Sequence, residues 1–307
     1  MDRFEAMSLL VAVAEAGSLS AAGRKLGMAL PTVSRRISEL ENRLQARLLV
    51  RSTRSLGLTA AGAAYVEACR RILEQVSEAE SAASGEFVTP KGELTITAPI
   101  VFGRLHVIPV VTEFLATYPD IDVRLMLADR SAHLIDEHID VAVRIGALVD
   151  SSLMATRVGA IREVVCASPD FFARHGTPHT PADLTGLSAV TFGSIGSDGA
   201  WTFRRGRTLT PVAVRARLSV NTAEAAIDAA VAGLGVTRVL DYQIAAPLAA
   251  GQLVVALERY EVEPWPVSLL HVRQGPTPLK LRAFLDFAAP RLRGRLAALK
   301  SAPRPVA

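Results

Sequence analysis

Two cysteines, Cys69 and Cys166, are all that the 307 residues contain, and they stand far apart in unrelated surroundings. No disulfide framework and no C-x-x-C metal motif can be built from them, so they read as small apolar thiols of a reducing compartment. No run of about 18 uninterrupted apolar residues is present, which excludes a bilayer-spanning helix. The start, Met1-Asp2-Arg3-Phe4-Glu5, is charged and lacks the apolar stretch of a secretory signal. A soluble, cytoplasmic protein is expected, without a membrane partner. The histidines (His106, His133, His138, His175, His179 and His271) show no H-E-x-x-H or comparable spacing, and neither a G-x-S-x-G elbow nor a Walker loop occurs. The sequence therefore predicts no enzyme, no metal and no cofactor. Gly233-Leu234-Gly235 follows a helix pattern instead of preceding one, and it reads as a helix stop feeding a strand, not as a phosphate loop.

What is present is apolar residue in quantity: half of the chain, enough for separate cores in at least two domains of ordinary size. Lys and Arg outnumber Asp and Glu by 34 to 30, and the excess is local, with nine basic against five acidic side chains in residues 1–58. A cationic amino-terminal module suits a polyanionic partner, although a mildly basic solvated face has the same composition.

Phe4, Met7, Val11 and Ala14 recur at helical spacing and predict a helix buried on that face and ended by Gly17. Ser18 caps a short second helix over Leu19–Leu26, closed by Gly27, and a third begins near Pro31. In the third, Val33, Ile37, Leu40 and Leu44 form one stripe, which turns Arg35, Ser38 and Asn42 outward. Leu49–Leu58 has β-branched and apolar residues around a polar turn, as in a β-wing. Thr59 can cap a long helix to about Ser84, whose Val66, Cys69, Leu73, Val76 and Ala83 follow a heptad seam interrupted by Glu80; a coiled coil and a helix packed on its own domain both fit. Residues 84–92 are rich in breakers and read as a hinge.

Beyond the hinge, strands and helices alternate: Leu94–Ala98, a helix over Leu105–Thr117, Val123–Leu127, a helix near Leu134, and Val141–Ile145. A second set follows, with strands Val164–Ala167, Ala189–Phe192 and Val236–Val239, and helices Asp170–His175 and Thr222–Ala232. Val267–Val272 and a helix over Leu279–Leu296 return the chain to the first lobe. This rhythm predicts mostly parallel sheets in two α/β lobes with a ligand cleft between them. The expected fold is a mainly α winged helix-turn-helix (1–58), a linker helix and hinge (59–91), and a two-lobed, periplasmic-binding-protein-like α/β sensor domain (92–307), with lobe 1 at about 92–161 and 267–300 and lobe 2 at about 162–266.

An ordered set of residues resembles the LysR-type transcriptional regulators. It runs through Ala14-Glu15-Ala16-Gly17-Ser18-Leu19-Ser20-Ala21-Ala22, Leu26-Gly27, Pro31-Thr32-Val33-Ser34-Arg35-Arg36-Ile37, Leu48-Leu49-Val50-Arg51-Ser52-Thr53-Arg54 and Leu58-Thr59-Ala60-Ala61-Gly62. The sensor half resembles the same family in Gly92-Glu93-Leu94-Thr95-Ile96, Tyr118-Pro119-Asp120-Ile121, Asp140-Val141-Ala142-Val143-Arg144-Ile145-Gly146 and Ala232-Gly233-Leu234-Gly235-Val236. The resemblance implies a regulator that binds double-stranded operator DNA as a homodimer or homotetramer, answers a small-molecule effector and acts on RNA polymerase. It implies base or phosphate contacts for Pro31, Ser34 and Arg35, and wing contacts for Arg51 and Arg54; Arg36, at the edge of the apolar stripe, and Ser38 join them as candidates. Arginine can donate two parallel hydrogen bonds to guanine, whereas wing arginines neutralise phosphates. Many family members carry glutamine where this chain has Leu30, which makes an apolar contact to a thymine methyl the expectation here.

The effector, by the same resemblance, lies near the end of the first sensor strand: Thr97, Pro99, Ile100 and Phe102. Free N–H groups at a helix start favour an anion, and a carboxylate is the class this suggests. Arg144, Phe192, Trp201, Asn221, Thr222 and Thr237 are the facing candidates. Some have structural readings as well: Asn221 with Glu224 has capping-box spacing, and Arg144 suits an interlobe salt bridge. Arg291, Arg293, Arg295 and Lys300 either assist DNA binding or keep the last helix soluble. A two-lobed solute-binding protein with a non-DNA amino-terminal module is the alternative.

Overall fold

Short polar side chains start most helices of the amino-terminal unit, because the first N–H groups of a helix need acceptors. In the computed structural model, which describes residues 2–51, 56–84, 89–129, 139–148, 153–193, 199–272 and 277–301, Asp2 accepts from Arg3 N at the head of α1 (Arg3–Ala16). Ser18 Oγ accepts from Ala21 N at 3.0 Å at the head of α2 (Leu19–Leu26). The third helix, α3 (Leu30–Leu44), starts on Ala29 and has Pro31 in its first turn, with no capping side chain. The hairpin β1 (Leu49–Arg51) and β2 (Leu56–Leu58) follows, and then α4 (Ala60–Ser84), where Thr59 Oγ1 accepts from Gly62 N at 2.9 Å.

Ala6, Leu9, Leu10, Val13, Ala22, Val33, Ile37, Leu40, Leu48, Leu49 and Val66 form the core of this unit. The buried face of α1 is thus not the expected one: Phe4 is 45% exposed and Met7 half-buried, while Ala6, Leu9, Leu10 and Val13 face α3 and α4. Leu44, expected in the α3 stripe, is also exposed, since that helix ends there in the left-handed Gln45. Two glycines are fixed by close approach. A Cβ on Gly23 would stand 2.6 Å from the Met28 carbonyl oxygen, and one on Gly62 would overlap that of Leu48. Along α4, Val66 and Cys69 are buried, Leu73 and Val76 half-buried, and Ile72 exposed; the side chain of Ala83 lies outside the described residues.

The chain divides into this unit, Met1–Thr89, and a second, Pro90–Ala307. The second runs β3 (Gly92–Ala98), α5 (Ile100–Phe102), a π-helical turn Gly103–Val107, α6 (Ile108–Thr117), β4 (Ile121–Leu127), β5 (Val141–Ile145) and β6 (Leu153–Ile161). After the single linking residue Arg162 come β7 (Glu163–Ala167), α7 (Pro169–His175), β8 (Ser188–Phe192), β9 (Ala200–Arg205), β10 (Thr208–Ala213), β11 (Arg215–Val220), α8 (Ala223–Val231), β12 (Val236–Leu240), α9 (Ala245–Ala249) and β13 (Val254–Ala256). The return, β14 (Trp265–Val272) and α10 (Leu279–Ser301), joins the first lobe.

Each lobe holds one five-stranded sheet, β4-β3-β5-β14-β6 and β11-β8-β12-β7-β13. In each, the three strands named first pair in parallel and the remaining pairs are antiparallel, so the sheets are more mixed than the sequence predicts. The antiparallel partners in lobe 1 are the two strands through which the chain leaves and re-enters. The helix predicted near Leu134 lies outside the described residues.

Residues 100–117 are long and apolar enough to span a bilayer by length and composition, a property the expectation from uninterrupted runs passed over. Val101, Phe102, Val107, Val110, Val111 and Phe114 are nevertheless buried in the core of lobe 1. Pro109 within this stretch has no N–H to give to Leu105, and Arg295 Nη2 from α10 donates to that carbonyl at 3.0 Å. Arg291 bonds Glu113 at 3.0 Å and lies over the Phe287 ring, and Arg293 donates to the Arg157 carbonyl at 3.2 Å. These terminal arginines fasten α10 to lobe 1, a role the sequence reading did not assign.

Candidate nucleic-acid and effector sites

Burial divides α3 by face. Val33 and Ile37 are fully buried and Leu40 nearly so, whereas the Arg35 side chain is 72% exposed on the far side. Its ion pair with Glu39, Nε to carboxylate at 3.7 Å, is exposed and weak. Arg36 turns toward α1 and meets Glu5 at 3.9 Å. Ser38 Oγ donates to the Ser34 carbonyl at 3.0 Å, so its hydroxyl serves the helix backbone. Pro31 is exposed, and Leu30 is 48% exposed beside it. Among the described residues no side-chain acceptor caps this helix start, and no acid stands in its first turn. Glu41 Oε1 accepts from Leu48 N at 2.7 Å and Leu49 N at 3.1 Å, tying α3 to the wing strand. Arg51 is in β1 with its side chain outside the described residues, as is all of Arg54.

In the second unit, the expected effector residues fall toward an end of each five-stranded sheet, apart from Trp201, which is on the separate β9–β10 hairpin. Thr97 is buried at the end of β3, and its hydroxyl donates to the Met126 carbonyl at 3.1 Å. Pro99 and Ile100 follow, half-buried; the Ile100 N–H, expected to be free, donates to the Asp129 carboxylate at 3.0 Å. Phe102 is fully buried, edge-on to Tyr242 of lobe 2 at 5.4 Å and beside His106 at 4.9 Å. Arg144 is half-buried in β5, paired in register with Ser268.

In lobe 2, Phe192 and Val220 are register partners, which brings Phe192 together with Asn221 and Thr222 at one sheet end. Thr222, not Asn221, caps α8: its Oγ1 accepts from Ala225 N at 3.3 Å, and Asn221 is exposed one residue earlier. The capping assignment is therefore corrected by one position, because only Thr222 stands three residues before the acceptor-seeking N–H. Thr237 is fully buried, with its hydroxyl on the Val190 carbonyl at 3.0 Å. Trp201 packs with Phe171, Phe172 and Leu184, and Phe192 with Ile227 and Ala230; these are clusters on opposite faces of the sheet, so the two aromatics are not brought together.

Matches to two family models decide the identity: residues 4–63 fit the bacterial regulatory helix-turn-helix protein of the lysR family, and residues 88–293 the LysR substrate binding domain. The chain belongs to the LysR family of transcriptional regulators. It is 33% identical over 287 residues to the transcriptional activator AaeR of Escherichia coli, covering 93% of each chain. A transcriptional repressor of Pseudomonas aeruginosa is 32% identical, with 94% of this chain and 91% of the relative covered. Among solved structures, the LysR-type regulator CrgA of Neisseria meningitidis matches with a TM-score of 0.60 at 30% identity, over 94% of this chain and 98% of that one. With the helix-turn-helix matched, the solute-binding alternative is set aside.

The sequence reading of this LysR regulator missed several interlobe residues. Arg104 on the π-helical turn pairs with Glu224 of lobe 2 at 3.8 Å. Tyr242 comes from the turn after β12 and is buried among lobe 1 residues, with Gln243 Nε2 3.5 Å from its hydroxyl. Burial, then the charges of Asp129 and Glu224, raise the Tyr242 phenol above its ordinary value. Burial and the charge of Arg295 hold His106 down at about 4, so the ring is neutral at physiological pH. Among the described residues no group of three His, Cys, Asp or Glu side chains could hold a metal. Both cysteines are free and buried, and burial pushes the Cys166 thiol up to about 12. His133 and His138 lie outside the described residues.

Proposed function

We propose that this regulator acts in the cytoplasm as a homodimer or homotetramer, reading dyad-related half-sites with Pro31, Ser34, Arg35, Arg36 and Ser38 in the major groove and Arg51 and Arg54 on the flanking backbone or minor groove. The observation that carries the DNA reading is the exposed Arg35 face of a helix whose other face is fully buried. The apolar Ile72, Leu73 and Val76, incompletely covered along α4, support a helix-mediated dimer. Effector binding at the strand ends bearing Thr97, Pro99, Ile100, Phe102 and Arg144 in lobe 1, and Phe192, Asn221, Thr222 and Thr237 in lobe 2, shifts the equilibrium between lobe arrangements, and through it DNA bending and polymerase access; Trp201, on the opposite face from Phe192, is left out of this site. A small carboxylate is the effector class suggested by the resemblance, and to reach the Ile100 N–H it has to displace the Asp129 carboxylate that accepts from it at 3.0 Å. The two relatives named above are an activator and a repressor, so similarity assigns no sign of regulation.

The test is binding of the full chain to duplexes selected by it from a random library, followed from low to high salt. Affinity is expected to fall linearly on a double-logarithmic plot, with a slope of about 0.9 per phosphate neutralised. A protein that selects nothing and binds no duplex at low salt contradicts the proposal.

Leu30 gives a finer expectation. If its exposed side chain covers a thymine methyl, replacing that thymine by deoxyuridine costs about 0.8 kcal/mol, roughly fourfold in affinity, as for one buried methyl. Leu30→Ala should bind both duplexes equally. Sensitivity at no thymine, or the same sensitivity in Leu30→Ala, removes this role.

A further inference from the structure

A hairpin of two three-residue strands does not hold its own orientation, because a lone two-stranded ribbon is marginal in water. The wing β1–β2 therefore takes its position from whatever grips its root, and the root is gripped from two sides. From α3, Glu41 Oε1 accepts from the N–H groups of both Leu48 and Leu49, at 2.7 and 3.1 Å. From the head of α4, Thr59 Oγ1 donates to the Arg47 carbonyl at 2.7 Å, and Thr59 N donates to the Leu48 carbonyl at 3.0 Å. The peptide between Arg47 and Leu48 thus has its N–H on α3 and its carbonyl on α4. This hold ends where the strand leaves the core: Leu48 and Leu49 are buried, and Val50 is 54% exposed. Arg51 closes β1 one residue later, and Arg54 follows in the chain.

An ionised carboxylate that takes two backbone N–H groups makes the stronger, charge-assisted kind of bond. Glu41 also stands on the helix whose exposed face carries Arg35, so it ties the wing to the very element that is proposed to read bases. We infer that Glu41 is the positioning residue of the wing, holding the root of β1 against α3 so that Arg51 and Arg54 meet the operator in register with Arg35. The inference rests on the proposed DNA reading and adds to it a residue that acts through the wing and not by touching DNA. Its charge gives the effect a recognisable sign. A carboxylate repels phosphate, so removing Glu41 strengthens DNA binding if only its charge matters and weakens it if the wing loses its place.

The test is the salt dependence and the hydroxyl-radical footprint of the full-length protein on a duplex that it selects. Glu41→Ala and Glu41→Gln remove the same charge, but only glutamine keeps a side-chain oxygen able to accept both bonds. Relative to Glu41→Gln, Glu41→Ala should lower the salt slope by about 1.8, since two phosphate contacts are lost at about 0.9 each. Protection of the flanking phosphates should disappear and that of the half-site centre should remain. Arg51→Ala combined with Arg54→Ala should show the same loss, and adding Glu41→Ala to that pair should change nothing further. Circular dichroism of each variant separates loss of fold from loss of the wing. If the alanine variant does not fold, Glu41→Asp, which keeps the charge and draws the acceptor back by one carbon, should show the same loss relative to wild type. A loss of affinity equal with and without the wing arginines, at unchanged slope, would overturn the role by making Glu41 a support of the fold alone. Equal behaviour of the glutamine and alanine variants would overturn it too. A wild type indifferent to the loss of Arg51 and Arg54 removes the wing reading and this role with it, whereas one that binds no duplex removes the DNA reading as a whole.

Discussion

Phe102→Ala is expected to destabilise the effector-binding domain by about 3–5 kcal/mol in denaturant unfolding, the range for removing a fully buried aromatic. The ring has no exposed surface and is the meeting point of the lobes, packed against His106 on its own helical stretch and against Tyr242 from the other lobe. Its loss leaves a cavity beside an imidazole whose two nitrogens have no hydrogen-bond partner among the described residues. Water entering that cavity relieves the desolvation holding His106 at about 4, so the imidazole regains basicity. In the wild type the lowered pKa means that stability is lost as pH falls below the ordinary histidine value of 6.5 toward about 4. The variant should lose less over that interval, although it starts lower. A cost below about 1 kcal/mol, the level of ordinary surface change, would show that the ring is not held as described.

How much of this could be read beforehand depended on where each residue finds its partner. Caps and glycine stops speak locally: Ser18, Gly17, Gly27 and Thr59 each act within a few residues, and the first helices lie where they were expected. The wrong face of α1 has a plain cause. Its sequence is apolar on both sides, so Phe4-Met7-Val11 and Ala6-Leu10-Val13 both have helical spacing, and only the packing of α3 and α4 selects between them. Strands β10 and β11 escaped because they are largely exposed on both faces, which removes the alternation that marks a strand, and β9, half-buried over most of its length, shows no clean alternation either. The site residues divide likewise. Thr97 entered through the family resemblance, and local spacing at the start of α8 pointed to Asn221 as the cap where Thr222 is; Asp129 on Ile100, Arg104 on Glu224 and Arg162 on Glu261 are pairings across long stretches of chain. Nothing in their own neighbourhoods announces them.

Arg35→Ala should weaken binding to a selected operator by about 1–3 kcal/mol, on the order of 5- to 150-fold, while changing affinity for random duplex far less. The structural cost is small by the geometry of α3: its hold on the domain comes from buried Val33, Ile37 and Leu40, and the Glu39 pair that is lost is exposed and worth at most a few tenths of a kcal/mol. A change in DNA binding can then be assigned to the lost guanidinium and not to unfolding. Arg36→Ala is the control on the same helix, since its side chain turns toward Glu5 and lies nearer the domain's own surface, so its loss should be smaller. Lys at position 35 keeps the charge but not the two-pronged donor geometry, and should restore affinity for random duplex without restoring base preference. Equal losses on operator and random DNA for Arg35→Ala would make this arginine a phosphate contact, and base reading would then have to rest on Pro31, Ser34 and the exposed Leu30.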